Sequence, residues 1–263
     1  MKKILGHLKY MALMGAVAGS LVAASAPVVH AQDAPAKDVF SAEQKAALQE
    51  MFKDYLMNHA DVLLSSVDNY RKKEELKSQQ SSQENLKLYK DYLLSSDRPM
   101  AGNPNGDVTI VEFFDFNCGY CKRAYADIKK LLKEDKNVRI VFQELPILSP
   151  TSMTMAALAD AAAKQGKYFA MHSAFMEYHG PQSDAAFKKL AQSVGVDVDK
   201  AMQDAASPEI KQEIDKSKKI AVDLGIRGTP GFVIGNEIYP GYIGYDGMKD
   251  IIAQVRKQNA AKQ

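Results

Sequence analysis

Residues 111–122 read VEFFDFNCGYCK and combine a strand pattern with two closely spaced cysteines. Apolar side chains fill both faces of the segment Asp107–Phe116, which is typical of a central strand. Helical spacing of apolar residues begins directly after Cys118. The segment Asn137–Phe142 then has the composition of a second strand. This strand–helix–strand order predicts a parallel pair of strands joined by a right-handed crossover.

Cys118 and Cys121 are the two cysteines of the 263-residue chain. A disulfide between them closes too small a loop to restrain much of the unfolded chain, so a structural bridge is a poor explanation. Unpaired backbone N–H groups and the helix dipole favour a thiolate where a strand passes into a helix. The spacing therefore predicts a redox pair, in which Cys118 attacks or is attacked and Cys121 resolves the mixed disulfide.

Glu112 lies within the apolar strand, six residues before Cys118. If its side chain is buried, its pKa is raised and its carboxylate can accept a proton from Cys121 as that thiol attacks. The alternative is a glutamate at a strand edge that faces solvent. The dipeptide Thr229-Pro230 precedes a further strand, and an X–Pro bond is the usual place for a cis peptide. A trans proline that ends a loop explains the same composition.

Metal binding is the alternative role for the thiols. A zinc site takes four ligands, of which this CxxC supplies two. The histidines beyond the first 31 residues are His59, His172 and His179. Copper(I) would combine the thiolates with methionine sulfur, although methionines more often fill a core. The candidate methionines are Met153, Met155, Met171 and Met176.

Composition excludes several classes of function. Lys and Arg number 34 against 32 Asp and Glu, so the net charge of +2 gives no basic excess that would indicate nucleic-acid binding. Hydrophobic residues at 46% and charged residues at 25% are typical of a folded globular chain, and not of a disordered or polytopic membrane protein. The length fits one or two domains.

Residues 1–31 have the pattern of a secretory signal peptide. Lys2, Lys3 and Lys9 form a positively charged start. An uncharged, largely apolar run, Tyr10–Val29, follows it, and small residues lead up to a cleavage position after Ala31. An uncleaved anchor is the alternative, but glycines, serines and a proline interrupt the run. We therefore expect cleavage after Ala31 and export to the periplasm.

The sequence of residues 32–96 predicts a helical N-terminal region and a linker. Apolar side chains recur at helical spacing over residues 40–70, whereas residues 71–85 are polar and predict a solvated helix or a semi-rigid linker. The segment Ser95–Gly106 predicts a loop into the second domain. Residues 40–70 expose an apolar face and have too little core to fold alone, so we expect them to assemble a homo-oligomer.

Residues 97–263 predict the second domain. Within it, residues 147–227 are mostly helical in pattern. The tail returns to strands, because Phe232–Ile234 and Ile238–Tyr239 flank Gly235-Asn236, a two-residue hairpin signal. A final helix follows the hairpin.

The stretch Val111–Lys122, followed by Gly228-Thr229-Pro230-Gly231, resembles thioredoxin-fold proteins of the DsbA class. The resemblance covers about residues 97–263 and implies an α/β thioredoxin fold with a helical insertion. The order of strand, acid, CxxC and late Thr-Pro is that of the family. The N-terminal region 40–93 resembles that of the N-terminally extended subgroup that includes the suppressor-of-copper-sensitivity protein ScsC, in which such extensions oligomerise the protein and favour isomerase activity.

The resemblance implies catalytic roles for Cys118 as nucleophile, Cys121 as its partner and Glu112 as the buried acid. It implies that Pro230 is cis beside the cysteines and that Thr229 offers backbone groups to an extended substrate peptide. The residues assigned to the substrate-binding surface are Gly119, Tyr120, Thr229 and Pro230. The dipeptide between the cysteines contains no histidine, so the redox potential of relatives that have one does not carry over.

These patterns together favour a periplasmic thiol–disulfide oxidoreductase that acts on exported proteins. We expect an oligomeric disulfide isomerase, with oxidase activity as a second capacity, served by a membrane redox partner. No cofactor, metal or nucleic acid enters this interpretation. A copper(I)-binding protein that uses the same thiolates is the second hypothesis, and a structural or surface-interaction protein is the third.

Overall fold

The computed structural model describes residues 39–261 of the chain. The predicted signal peptide, residues 1–31, lies outside the described residues. The chain divides into two compact units with a boundary between Leu63 and Leu64. Within residues 39–261, no helix is both long enough and apolar enough to cross a membrane.

The first unit contains helix α1, Ala42–Asn58, and the start of helix α2. Ser41 and Gln44 form a capping box, in which each side chain accepts the backbone N–H of the other and so satisfies the free donors of the helix start. The predicted helical structure over residues 40–70 is confirmed. Its large apolar side chains are exposed within the described chain, and they include Met51, Phe52, Tyr55, Leu56 and Leu63.

Helix α2 runs without interruption from Ala60 to Leu93. Of the two structures predicted for residues 71–85, the solvated helix is therefore the one that forms. The segment contains helix-forming Lys, Gln and Glu and no Gly or Pro. The C-terminal part of α2 is packed, with Leu86 and Leu93 buried against the sheet of the second unit. Tyr89 Oη donates to Asp223 Oδ2 at 2.5 Å and ties the same part of α2 to the last long helix of the insertion.

The second unit is built on a mixed five-stranded sheet with the order β1-β3-β2-β4-β5. The strands are β1 Met100–Gly102, β2 Val108–Phe114, β3 Val138–Glu144, β4 Gly231–Ile234 and β5 Glu237–Pro240. Strands β2 and β3 are parallel, and the other neighbours are antiparallel. The predicted parallel pair is confirmed, as is the hairpin, in which Ile234 pairs with Glu237 across the two-residue turn.

The loop predicted for Ser95–Gly106 is wrong in part, because β1 lies within it. Met100 pairs with Val141 and Gly102 with Arg139 on β3. Three residues are too few to show an alternating pattern in the sequence. The strand forms because the free edge of β3 offers backbone hydrogen bonds that such a short segment can fill.

Helices surround the sheet. They are α3 Gly119–Glu134, α4 Pro150–Ala163, α5 Tyr168–Glu177, α6 Asp184–Ser193, α7 Val198–Ala205, α8 Pro208–Asp223 and α9 Gly244–Ala260. Helices α4 to α8 form the predicted insertion between β3 and β4. The eight-residue α7 was not predicted as a separate helix, although Asp197 caps it by accepting the N–H of Lys200 at 3.0 Å.

Both faces of the sheet are buried, as the two-sided apolar pattern of β2 predicts. Ile110 and Phe114 pack with α3, the insertion and α9 in the larger core cluster. Val111 and Phe113 point to the opposite face, where α8 and the end of α2 cover them. The arrangement places the C-terminal end of β2 at the start of α3, where the two cysteines lie.

Candidate active site

Cys118 is the N-cap residue of α3, directly after the turn that follows β2. Its Sγ accepts the backbone N–H of Cys121 at 3.4 Å and donates to the carbonyl oxygen of Thr229 at 3.2 Å. Both cysteines are free thiols, and the Cys118 side chain is 6% exposed. The reactive sulfur is thus held between a helix start and the loop before β4.

The pKa of the Cys118 thiol is lowered to about 5. A hydrogen bond from the Cys121 side chain is the largest cause, and burial opposes it. Hydrogen bonds from the backbone N–H groups of Cys121 and Tyr120 lower the pKa further. Cys118 is therefore a thiolate at neutral pH, which is the nucleophilic form.

The Cys121 thiol has the opposite character. It is fully buried, and burial raises its pKa far above the ordinary value, with further contributions from the hydrogen bond to Cys118 and the charge of Glu112. The two thiols of the pair are thus electrostatically unequal. This difference supports the predicted roles of nucleophile and resolving thiol, which stay predictions.

Glu112 is completely buried on β2, so the solvent-facing alternative is wrong. Its backbone is flanked by Phe142 on β3 and Phe232 on β4, and neither carboxyl oxygen has a hydrogen-bond partner. Burial is the first cause that raises the pKa of Glu112 to about 8, and the negative charge of Cys118 is the second. The group can therefore exchange a proton near neutral pH.

The Thr229–Pro230 peptide bond is cis, as the resemblance implies. Pro230 is buried, and its carbonyl accepts the N–H of Gly241 at 3.0 Å, which anchors the loop to the end of β5. Gly119 and Tyr120 are exposed, and the Tyr120 ring lies 5.9 Å from the ring of Tyr242. The four residues predicted for substrate binding therefore lie on the two segments that meet at the Cys118 thiol, and their role in binding stays a prediction.

Asp115 and Asn117 were not predicted as site residues. Asp115 is 1% exposed, and its carboxylate accepts hydrogen bonds from the turn before Cys118 and from residues just before and at the start of α4. The amide of Asn117 donates to Ser149 Oγ at 2.8 Å. Two polar residues next to a CxxC in an otherwise apolar run were the available signal.

No observation favours the metal alternatives. His172 is completely buried in a cage of aromatic rings, and burial lowers its pKa to about 3. Within residues 39–261, no group of three or more His, Cys, Asp or Glu side chains is placed to hold a metal ion. The candidate methionines belong to or pack against the hydrophobic core, as Met153, Met155, Met171 and Met176 all do.

The CxxC at a strand-to-helix junction and the cis Thr229–Pro230 bond beside it define the thioredoxin class of fold. The chain belongs to the family of DSBA-like thioredoxin domains, whose model matches residues 109–253. Membership gives a DsbA-like thiol–disulfide oxidoreductase fold, and the predicted fold class and resemblance are confirmed.

Known proteins show the same likeness. A thioredoxin-like oxidoreductase from Silicibacter pomeroyi is 40% identical, with a TM-score of 0.61 over 64% of this chain and 97% of that chain. A ScsC variant from Proteus mirabilis is 21% identical, with a TM-score of 0.62 over 86% of this chain and 99% of that chain, and shows the fold. A Na(+)/H(+) antiporter from Salinispora tropica is 30% identical over 147 residues, which are 53% of this chain and 22% of that relative. The chain thus spans about a fifth of the length of the curated relatives that it matches first.

Proposed function

We propose that this protein is a periplasmic thiol–disulfide oxidoreductase that acts on exported proteins through Cys118 and Cys121. The observation that carries the proposal is the Cys118 sulfur, held at the start of α3 and hydrogen-bonded to Cys121 and to the Thr229 carbonyl, with its pKa lowered to about 5. A thiolate in this position is ready to attack a disulfide. A stabilising disulfide would have no need of such activation.

The exchange proceeds in two steps. The Cys118 thiolate attacks one sulfur of a substrate disulfide, forms a mixed disulfide and releases the other substrate sulfur as a thiolate. Cys121 then loses its proton to the Glu112 carboxylate and attacks Cys118 Sγ, which releases the second substrate thiolate. The substrate disulfide is reduced and the Cys118–Cys121 disulfide is formed. The reverse sequence oxidises a dithiol substrate.

Isomerisation requires that the mixed disulfide be resolved by a substrate thiolate other than the one released in the first step. A different substrate thiolate attacks the substrate sulfur that is bonded to Cys118, so a new substrate disulfide forms, the bond to Cys118 Sγ breaks and Cys118 leaves as the thiolate with no net oxidation. We assign this activity because residues 40–70 expose large apolar side chains that suit a homo-oligomer, including Met51, Phe52 and Tyr55. Several active sites held together would keep a misfolded substrate within reach between attempts.

Oxidase activity is the second candidate, and the lowered pKa of Cys118 favours it. A thiolate stabilised at Cys118 stabilises the reduced protein, which makes the Cys118–Cys121 disulfide a stronger oxidant. The pattern of residues 1–31 supports the periplasmic location, where exported proteins form disulfides. Either activity needs a membrane redox partner, which would reduce the pair for an isomerase and oxidise it for an oxidase.

Refolding of a scrambled multi-disulfide protein tests the activity, with the chain from residue 32 compared with Cys118→Ser. Recovery of the native substrate with the parent protein and its loss in the variant establish an isomerase. Rapid oxidation of a reduced substrate without recovery from the scrambled state would establish an oxidase. Failure of both reactions would contradict the proposal.

Sedimentation of the same protein tests the oligomer. We expect a single oligomeric species that dissociates when Leu56→Lys and Leu63→Lys place charges on the exposed apolar face. Leu76→Lys is the matched control, because Leu76 is 67% exposed and lies in the polar stretch 71–85. A monomeric parent protein, or an oligomer that tolerates both charges, would rule out assembly through residues 40–70.

A further inference from the structure

The Asp115 carboxylate is a buried acceptor with four donors, all of them uncharged groups. Its Oδ1 accepts from Asn117 N–H at 2.8 Å and from Ser152 Oγ at 2.7 Å. Its Oδ2 accepts from the backbone N–H groups of Ile147 and Leu148 at 2.9 and 3.0 Å. Four hydrogen bonds use the full capacity of a carboxylate and account for its burial.

These bonds join two segments that are separate in the sequence. One is the turn from Asp115 to Cys118, which is closed by Cys118 N–H donating to the Asp115 carbonyl at 3.0 Å. The other is the segment Ile147–Ser152, which includes the first residues of α4. Asn117 strengthens the join, since its amide also donates to Ser152 Oγ at 2.9 Å. The turn that carries the thiol is therefore fixed to the helical insertion.

We propose that Asp115 is a positioning residue for thiol exchange: its carboxylate fixes the turn so that Cys118 Sγ meets the N–H groups at the start of α3. The inference rests on the proposed function, for which Cys118 is the nucleophile. The Asp115 carboxylate accepts from the turn and from the insertion, and not from either thiol, so it acts through the direction it gives to the Cys118 backbone. The hydrogen bond that Cys121 N–H donates to Cys118 Sγ at 3.4 Å, which stabilises the thiolate, depends on that direction.

The chemistry of the site explains why a carboxylate is needed. Asparagine at position 115 would keep one acceptor oxygen and replace the other with an NH₂ group. That NH₂ group would face two hydrogen-bond donors, either Asn117 N–H and Ser152 Oγ or the backbone N–H groups of Ile147 and Leu148. Glutamate would keep the charge but displace it by one methylene in a fully packed space. Both changes disturb the turn, and they differ in whether the negative charge remains.

This difference separates positioning from simple electrostatics. A buried negative charge close to Cys118 opposes the thiolate, so loss of that charge alone would lower the pKa of Cys118. Loss of the ordered turn weakens the hydrogen bonds that stabilise the thiolate, which raises the pKa. Positioning therefore predicts a raised pKa in both variants. Charge alone predicts a lowered pKa in Asp115→Asn and no change in Asp115→Glu.

The experiment titrates the Cys118 thiolate by its ultraviolet absorbance in the reduced full chain, and follows alkylation at pH 6 and thermal unfolding. We expect Asp115→Asn and Asp115→Glu each to raise the pKa by about one unit, from about 5 to about 6, and so to slow alkylation at pH 6 about twofold. Asp197→Asn, which alters the carboxylate that caps α7, is the control and leaves the thiolate unchanged. A lower melting temperature with an unchanged pKa would show a structural role only and overturn the inference, as would a lowered pKa in Asp115→Asn.

Asn117→Ala keeps the test decisive if neither Asp115 variant folds. It preserves Asp115 and its charge but removes the hydrogen bonds that the Asn117 side-chain amide donates to Ser149 and Ser152. A raised Cys118 pKa supports positioning through the turn, and an unchanged pKa contradicts it. The titration does not depend on a substrate. Failure of the parent protein to exchange disulfides would therefore count against the proposed function and leave this measurement of Asp115 intact.

Discussion

The Sγ of Cys118 lies 3.2 Å from the carbonyl oxygen of Thr229, a residue 111 positions later in the chain. A neutral thiol donates its proton to this oxygen, but a thiolate has no proton to give. Once Cys118 is ionised or bonded to a substrate sulfur, the carbonyl is free to accept an N–H from another chain. The thiol and the proposed backbone contact for a substrate are therefore alternatives at one oxygen.

The lowered pKa of Cys118 predicts a characteristic pH dependence. Alkylation of the reduced protein should rise with pH to a plateau with a midpoint near 5, because the thiolate is the reacting form. Mass spectrometry of the alkylated protein checks that Cys118 is the site. A midpoint near the ordinary thiol value of about 8.5 would contradict the hydrogen-bonded thiolate.

The stability of the folded protein should also depend on the ionisation of Cys118. The pKa of Cys118 is lower in the folded state than in the unfolded chain, so its contribution to stability is complete above the unfolded value and is lost as pH falls through about 5. We expect the melting temperature of the reduced parent protein, relative to Cys118→Ser, to rise between pH 5 and pH 8. A difference that stays constant over this range would contradict the shift.

Glu112→Gln should change stability with the opposite sign. The pKa of Glu112 is raised to about 8 by burial, so the unfolded chain loses this proton at a lower pH than the folded protein. The stability contribution is complete below pH 4 to 5 and is lost as pH rises towards 8. Relative to Glu112→Gln, the parent protein should therefore lose melting temperature over that interval. An equal change in both proteins would contradict a buried neutral acid.

The same variant should slow the resolving step. If the Glu112 carboxylate accepts the Cys121 proton, Glu112→Gln should lengthen the life of the mixed disulfide about a hundredfold at pH 8, within the range of general-base effects. Quenched-flow trapping of the mixed disulfide measures this life. The first attack by Cys118 serves as the internal control and should change far less. Equal slowing of both steps would argue against a role in proton transfer.

His172 should make the protein sensitive to acid. Burial among rings, including Phe142 at a centroid distance of 4.3 Å, lowers the pKa of His172 to about 3, whereas in the unfolded chain it titrates near 6.5. Stability is therefore lost as pH falls from about 6.5 towards 3. His172→Phe should raise the melting temperature more at pH 4 than at pH 7. His179→Phe, at an exposed position, is the control and should show no such difference.

Two leucines of α2 should differ sharply in their effect on stability. Leu93 is 1% exposed, and Leu93→Ala should cost about 2–5 kcal/mol of unfolding free energy, since it leaves a cavity against the sheet. Leu88 is 73% exposed, and Leu88→Ala should stay within about 0.5 kcal/mol. Urea unfolding of the full chain measures both. A small loss in both variants would show that the end of α2 does not belong to the folded core.

The residues that could be predicted from the sequence carry a local signal. Glu112 sits in a strand that is apolar on both faces, and Gly235-Asn236 is a turn signal between two strands. Strand β1 could not be predicted, because its three residues owe their structure to pairing with β3, about 40 positions away. Asp115 gave only a weak signal, since three of its four donors lie more than 30 positions later in the chain.

Under the proposed function, the edges of the sheet bear on how the protein would meet unfolded chains. Strand β1 has three residues, and β5 has four and ends at Pro240, which has no N–H to donate. Short edge strands are poor templates for an added strand, and a proline at the end of one, as in β5, removes a further donor. A protein that repeatedly meets exposed backbone runs the risk of co-aggregating with its own clients. These two edges lower that risk at the outer strands of the sheet.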